Sequence, residues 1–171
     1  VALKFVAFGL AAYVLGGLLD AVTALRSVAV TTQFTWVTQA QTQLALAGAF
    51  SMIVFGAIYF MAPRMLNKAW PSTPLIRAHY GAAVLGTIVL VLGLVAAGVV
   101  QGRDLANPTV SFADIASHTR AWLLVAAAGQ ALLVFGNLVL CFHFGRLLLV
   151  KPVVPAVELF RQPSTMEASV S

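Results

Sequence analysis

The stretch Ala82–Val100, Ala-Ala-Val-Leu-Gly-Thr-Ile-Val-Leu-Val-Leu-Gly-Leu-Val-Ala-Ala-Gly-Val-Val, contains nothing polar beyond its glycines and Thr87. A helix that crosses a bilayer needs about 20 largely apolar residues, because the hydrocarbon core is about 30 Å thick and each residue rises about 1.5 Å. This stretch meets that length with no charge to bury. Working outward, three more windows qualify, so that four predicted transmembrane helices lie at roughly 4–25, 41–63, 79–101 and 121–146. The expected fold class is all-α, an integral membrane bundle of four transmembrane helices over residues 1–150. A tail over 151–171 begins Lys-Pro-Val-Val-Pro and is expected to be extended and mobile.

Composition points the same way. Hydrophobic residues make up 61% of the chain and charged residues 9%, and the mean hydropathy is +0.96. Those values lie outside the range of a domain with a solvated surface. A net charge of +5 would suggest nucleic acid in a soluble protein. Here the basic residues sit in short segments between apolar runs, where they act as topology signals and lipid headgroup contacts, so no nucleic-acid partner is expected. Lys4, Arg64, Lys68, Arg77, Arg146, Lys151 and Arg161 fall on one side of the four-helix topology, and Arg26, Arg103 and Arg120 on the other. The excess of Lys and Arg places both termini in the cytoplasm. Cys141, the single cysteine, lies inside the last apolar run and offers neither a disulfide framework nor a metal cluster.

The first window is interrupted by Asp20 but is uncharged from Phe5 to Leu19. No small-residue cleavage site follows it, so it reads as a helix rather than a signal peptide. Between the first two windows, Ser27 to Gln43 is polar, uncharged and rich in Thr and Gln, and is expected at the membrane surface or under partner protein. Segment 64–78 reads as a loop because Pro71 and Pro74 prevent a continuous helix. In 102–120, Asn107-Pro108 marks a turn, and Ser117 to Thr119 are expected to cap the fourth helix.

Chemistry within a membrane needs His, Cys, Met or carboxylates aimed into the bundle, and this chain has few. Asp20 is expected as a buried or interfacial hydrogen-bond acceptor that could pair with Arg26, with a proton-path role as the alternative. His118 is placed in the outer loop and solvated. His79 at the start of the third helix and His143 at the end of the fourth belong near the cytoplasmic surface, close enough to approach one another. They could form a bis-histidine haem site, although interfacial hydrogen bonding is the plainer reading without supporting Gly or Arg patterns. Gln33, Gln39, Gln41 and Gln43 crowd one short stretch, which is unfavourable near hydrocarbon unless something accepts their hydrogen bonds. Gln41 and Gln43 point about 200° apart on a helix, so each meets a different neighbour.

Ala24-Leu25-Arg26-Ser27-Val28, Thr32-Gln33-Phe34-Thr35 and Gln41-Thr42-Gln43 form a series. It continues through Phe55-Gly56-Ala57-Ile58-Tyr59-Phe60, Ala62-Pro63-Arg64, Trp70-Pro71, His79-Tyr80 and Ala97-Gly98-Val99-Val100-Gln101-Gly102. It resembles the catalytic subunit I of C-family, cbb-type, haem-copper cytochrome c oxidases, in its C-terminal four-helix part. The family pattern reads A-L-R-S-V, T-H-F-T and H-x-H. The likeness is close over residues 4–102 and looser along the fourth helix, where it rests on the spacing of Gly129 and Gly136. The resemblance implies a bacterial inner membrane location and a multi-subunit complex.

At the positions that matter most, this chain departs from the resemblance. In the family, the two histidines of H-x-H hold the high-spin and low-spin haem irons; here those positions are Gln41 and Gln43, and the T-H-F-T histidine is Gln33. A carboxamide keeps length and hydrogen-bonding ability but loses the imidazole nitrogen that binds iron. The expectation is therefore a chain without catalytic residues, metal ligands or a cofactor of its own. Haem or quinone would belong to partner subunits, and the partners would be other integral membrane subunits, a cytochrome among them, and lipids. Gly48, Gly56, Gly86, Gly93 and Gly98 could allow close helix approach or merely reflect the glycine content of membrane helices.

Three functions remain open: a noncatalytic, haem-free accessory subunit of a respiratory or other electron-transfer complex; part of a split haem-copper oxidase or nitric oxide reductase; and a quinone-binding anchor. Transport is disfavoured, as no inverted repeat, acidic relay or broken-helix pair is visible.

Overall fold

The computed structural model describes residues 2–149. Helix α1 is Ala2–Thr23, α2 is Arg26–Thr32 and α3 is Trp36–Gln43. A π-helical segment, Leu44–Phe50, joins α3 to α4, Ser51–Met65, and is followed by α5, Thr73–Leu105, and α6, Phe112–Leu149. Four stretches are long and apolar enough to cross a membrane: Ala2–Thr23, Trp36–Met65, Thr73–Leu105 and Phe112–Leu149. The chain is a multi-pass, all-helical membrane protein. The predicted tail over 151–171 lies outside the described residues.

The helices overrun the apolar windows. The second span begins at Trp36 rather than 41, the third at Thr73 rather than 79, and the fourth covers 112–149 rather than 121–146. At about 1.5 Å per residue, the 38-residue α6 is about 57 Å long, well beyond a hydrocarbon core of about 30 Å. Hydropathy locates the part inside the bilayer; hydrogen bonding decides where the helix stops.

The caps account for the boundaries. The 64–78 segment, expected as a loop, is non-helical only over 66–72. Pro63 is tolerated in the last turn of α4, and Pro74 occupies the first turn of α5, where its missing N–H would have no helical partner anyway. Asn67 adopts φ 49°, a left-handed conformation that suits asparagine at a helix end. Ser117 to Thr119 do not cap the fourth helix, because they lie inside it. That role falls to Ser111, whose Oγ accepts from the Asp114 amide at 3.3 Å and donates to Asp114 Oδ2 at 2.7 Å. In the Ser27–Gln43 stretch, Phe34 at φ 62° breaks α2 from α3, and Thr35 caps α3 by accepting from the Val37 amide.

The α1, α3–α4, α5 and α6 rods run up and down, so both described ends lie on the same side. Helix α5 is the central one and has the largest share of buried positions. It packs on α6 through small residues: a Cβ added at Gly93 would lie 2.7 Å from the Ala126 nitrogen, and one at Gly129 would collide with the Leu90 backbone. At the other end, Gly98 and Gly102 let the backbones of Val37 and Thr31 press against α5. Leu10, Leu18, Leu92, Leu124 and Leu138 remain exposed, as lipid-facing side chains should be.

Candidate functional site

Of the four glutamines singled out in the sequence, Gln33 and Gln39 are exposed. Gln41 and Gln43 meet different surroundings, as two positions on opposite sides of a helix must. Gln41 Nε2 donates to Thr23 Oγ1 at 2.6 Å, and that hydroxyl donates in turn to the carbonyls of Leu19 at 2.9 Å and Asp20 at 3.1 Å. The carboxamide therefore fastens α3 to the end of α1. Gln43 opens onto a cleft of about 180 Å³ that also takes in Ser51, Phe55, Gln130 and Asn137.

His79 and His143 do come together, enclosed within the bundle: both are 0% exposed. His79 lies nearly two turns into α5 and His143 nearly two turns before the end of α6, because both helices extend beyond their apolar windows. Tyr59 Oη and His79 Nδ1 are hydrogen-bonded at 3.0 Å, and Trp70 Nε1 donates to the Tyr59 carbonyl at 2.9 Å. Phe55 packs edge-on against His79 with centroids 4.7 Å apart, and Trp70 packs on His143 at 4.7 Å. Phe5 from α1 completes the box, 5.3 Å from His79. Among the described residues His79 Nε2 and both ring nitrogens of His143 have no hydrogen-bond partner. Tyr59 and Trp70 were not singled out beforehand as site residues, yet they stand within the Phe55–Phe60 and Trp70-Pro71 segments on which the resemblance rests.

Two expectations about polar residues need correction. Asp20 is exposed and makes no ion pair with Arg26 among the described residues. The helix ends at Thr23 and the chain turns, so Arg26 starts α2 instead of extending α1 past the carboxylate. His118 is on α6 rather than in a loop, and its Nδ1 lies 2.8 Å from Asp104 Oδ2. The extension of α5 to Leu105 carries Asp104 to within reach of it. Among the described residues no group of three or more His, Cys, Asp or Glu could hold a metal ion.

Sequence reasoning passed over Gln130 and Asn137. They are seven residues apart, hence on one face of α6, and they are the amide-bearing positions inside an otherwise apolar run. That spacing was the available signal. Gln101, quoted only as part of the resemblance, accepts from the Trp36 amide at 3.1 Å and ties the end of α5 to the start of α3.

Comparison with known proteins gives two findings. The family model described as Cytochrome C and Quinol oxidase polypeptide I matches residues 1–132. A cbb3-type cytochrome c oxidase subunit CcoN1 of Stutzerimonas stutzeri is 24% identical over 151 residues, covering 84% of this chain and 32% of that relative. The chain spans about a third of the length of the curated relative it matches.

Proposed function

The chain belongs to the Cytochrome C and Quinol oxidase polypeptide I family, and from that membership we propose that it is a noncatalytic, haem-free structural subunit of a larger membrane electron-transfer complex. Its setting in this reading is a bacterial inner membrane with both termini cytoplasmic, supported by the Lys and Arg excess on the side shared by the chain ends.

The observation that carries the reading is the bond from Gln41 to Thr23. The nitrogen lone pair of a carboxamide is delocalised, so its ligand atom is the neutral carbonyl oxygen, and the bond fixes that carboxamide against Thr23. Such oxygens suit hard cations such as Mg and Ca, whereas haem iron takes imidazole, thiolate, thioether or phenolate. Two further candidate positions, Gln43 and the histidine pair, fit a porphyrin no better. The Gln43 cleft, at about 180 Å³, falls below the ~300 Å³ at which small-molecule sites begin. Around His79 and His143, the rings of Phe5, Phe55, Tyr59 and Trp70 fill the space in which a macrocycle would have to lie. Retained packing with vacated ligand positions is what a scaffold subunit requires.

The test is a pyridine haemochrome spectrum of the purified chain. No haem above trace is expected; one low-spin haem per polypeptide overturns the reading.

A second reading, part of a split haem-copper oxidase or nitric oxide reductase, draws support from the coverage of only 32% of the relative. The remaining helices and haem ligands would then come from another polypeptide. Loss of turnover on deleting this chain, with the rest of the complex still assembled and haem-loaded, would favour it.

A further inference from the structure

On α6, Gly136, Leu140, His143 and Leu147 recur at steps of three and four residues and so share one face. Gly136, His143 and Leu147 are buried, and Leu140 packs against the core around Phe5 and Met52. That face meets His79 of α5. A Cβ added at Gly136 would lie 3.3 Å from His79 Cδ2, the ring carbon bonded to Nε2. The imidazole edge that carries Nε2 is therefore turned toward the α6 face that carries His143, while Nδ1 is held by Tyr59 of α4. Both imidazoles flank the Tyr59 ring, with centroids 5.7 and 6.4 Å from it.

The hydrogen bonding of this pair does not close. Both side chains are 0% exposed, and among the described residues His79 Nε2 and both nitrogens of His143 have no partner. A neutral imidazole carries one donor and one acceptor. If His79 Nδ1–H donates to Tyr59 Oη, Nε2 is left as a buried acceptor; if the phenol donates to Nδ1, Nε2–H is left as a buried donor. His143 leaves one of each. Buried polar atoms of this kind are nearly always satisfied by protein or by ordered water. Thr87 Oγ1 also lacks a partner, but it lies eight residues further along α5, about 12 Å away at 1.5 Å per residue, and stands as a single group. The histidine nitrogens differ in being brought together.

We propose that the α5–α6 seam between His79 and His143 is a binding site for one water molecule. It is held by His79 Nε2 and a ring nitrogen of His143, and it completes a hydrogen-bonded chain from Tyr59 through both imidazoles that ties α4, α5 and α6 together. The ligand class follows from the walls. Water donates and accepts, so it matches any tautomer of either ring, and a buried water takes about three polar partners. A metal cation could use the lone pairs, but among the described residues no third His, Cys, Asp or Glu joins the pair. Its charge would stand uncompensated in apolar surroundings. Phe5, Phe55 and Trp70 pack on the two rings and leave no way in for a larger molecule. The described helices enclose this site by themselves, so it depends on no other polypeptide and on none of the glutamine positions.

The test uses the full-length protein as purified from its membrane, with whatever chains accompany it. A density map that resolves ordered water is expected to show a peak at about 2.7–3.2 Å from both His79 Nε2 and one His143 nitrogen. In parallel, solid-state NMR of ¹⁵N-histidine-labelled protein in liposomes, with polarisation started on water protons, is expected to reach both imidazoles. His143→Phe keeps a ring against Trp70 but removes the nitrogens, and the water transfer to His79 should be lost. The Nδ1 shift of His79 reports whether the Tyr59 bond, and hence the fold around it, survives that change. Should the variant fail to fold, the map of the unaltered protein decides alone. A direct bond between the two histidines, no peak between them, transfer to His79 retained in His143→Phe, or one transition-metal ion per chain by elemental analysis with density at the pair would each overturn the proposal. Haem bound elsewhere in the chain would contradict the haem-free reading and leave this site untouched.

Discussion

Tyr59 and His79 are joined by a 3.0 Å hydrogen bond between the phenol oxygen and Nδ1, buried where α4, α5 and α1 meet. The bond matters because the rest of the histidine pair is unsatisfied: His79 Nε2 and both nitrogens of His143 have no partner among the described residues. Removing the phenol hydroxyl by Tyr59→Phe leaves a further buried acceptor or donor stranded. We expect a loss of about 1–3 kcal/mol of stability, read from SDS-induced unfolding in micelles. A double-mutant cycle of Tyr59→Phe with His79→Leu should return a coupling of about 0.6–1.7 kcal/mol, the range found for hydrogen bonds between membrane helices.

The α5–α6 contact gives a prediction with its own control. Gly129→Ala pushes a methyl group into the Leu90 backbone and should destabilise the bundle by about 1–3 kcal/mol. Gly81 and Gly145 are helical glycines with nothing within 4 Å of an added Cβ. Alanine at either should be neutral or stabilising by up to about 1 kcal/mol. Equal losses at Gly129 and Gly81 in the unfolding assay would contradict the packing described.

The start of α6 depends on Ser111. Ser111→Ala removes the cap for the Asp114 amide and the bond to its carboxylate, for an expected loss of about 1 kcal/mol. Ser117→Ala, inside the helix, should cost less. Hydrogen exchange over residues 112–116 distinguishes the two, since only loss of the cap frays that turn.

Gln41→Leu breaks the tie from α3 to Thr23. A loss of about 0.6–1.7 kcal/mol is expected, with no change in any visible absorption of the preparation. A spectral shift near the haem Soret region on this substitution would mean that Gln41 touches a chromophore.

The spans were legible because their signal is additive: nineteen residues such as Ala82–Val100 leave no soluble alternative. The helix ends were less so. Ser111 with Asp114 carries a readable S-x-x-D signature, but hydropathy windows stop short of it, and Ser117 to Thr119 lay closer to the window edge. The π segment Leu44–Phe50 has no local signature, since Leu-Ala-Leu-Ala-Gly-Ala-Phe is an ordinary membrane-helix sequence. Topology brought His79 and His143 to the same end of the bundle on sequence alone. Their full burial depends on Phe5, Tyr59 and Trp70 arriving from three other segments, which only the fold assembles.

The central claim, that carboxamides stand where haem ligands would, is tested most directly by a density map of the intact complex resolved chain by chain. The expected map shows the Gln41 amide on the Thr23 hydroxyl and no iron within bonding distance of Gln41, Gln43, His79 or His143. Porphyrin density with its iron coordinated by any of these four side chains would contradict it.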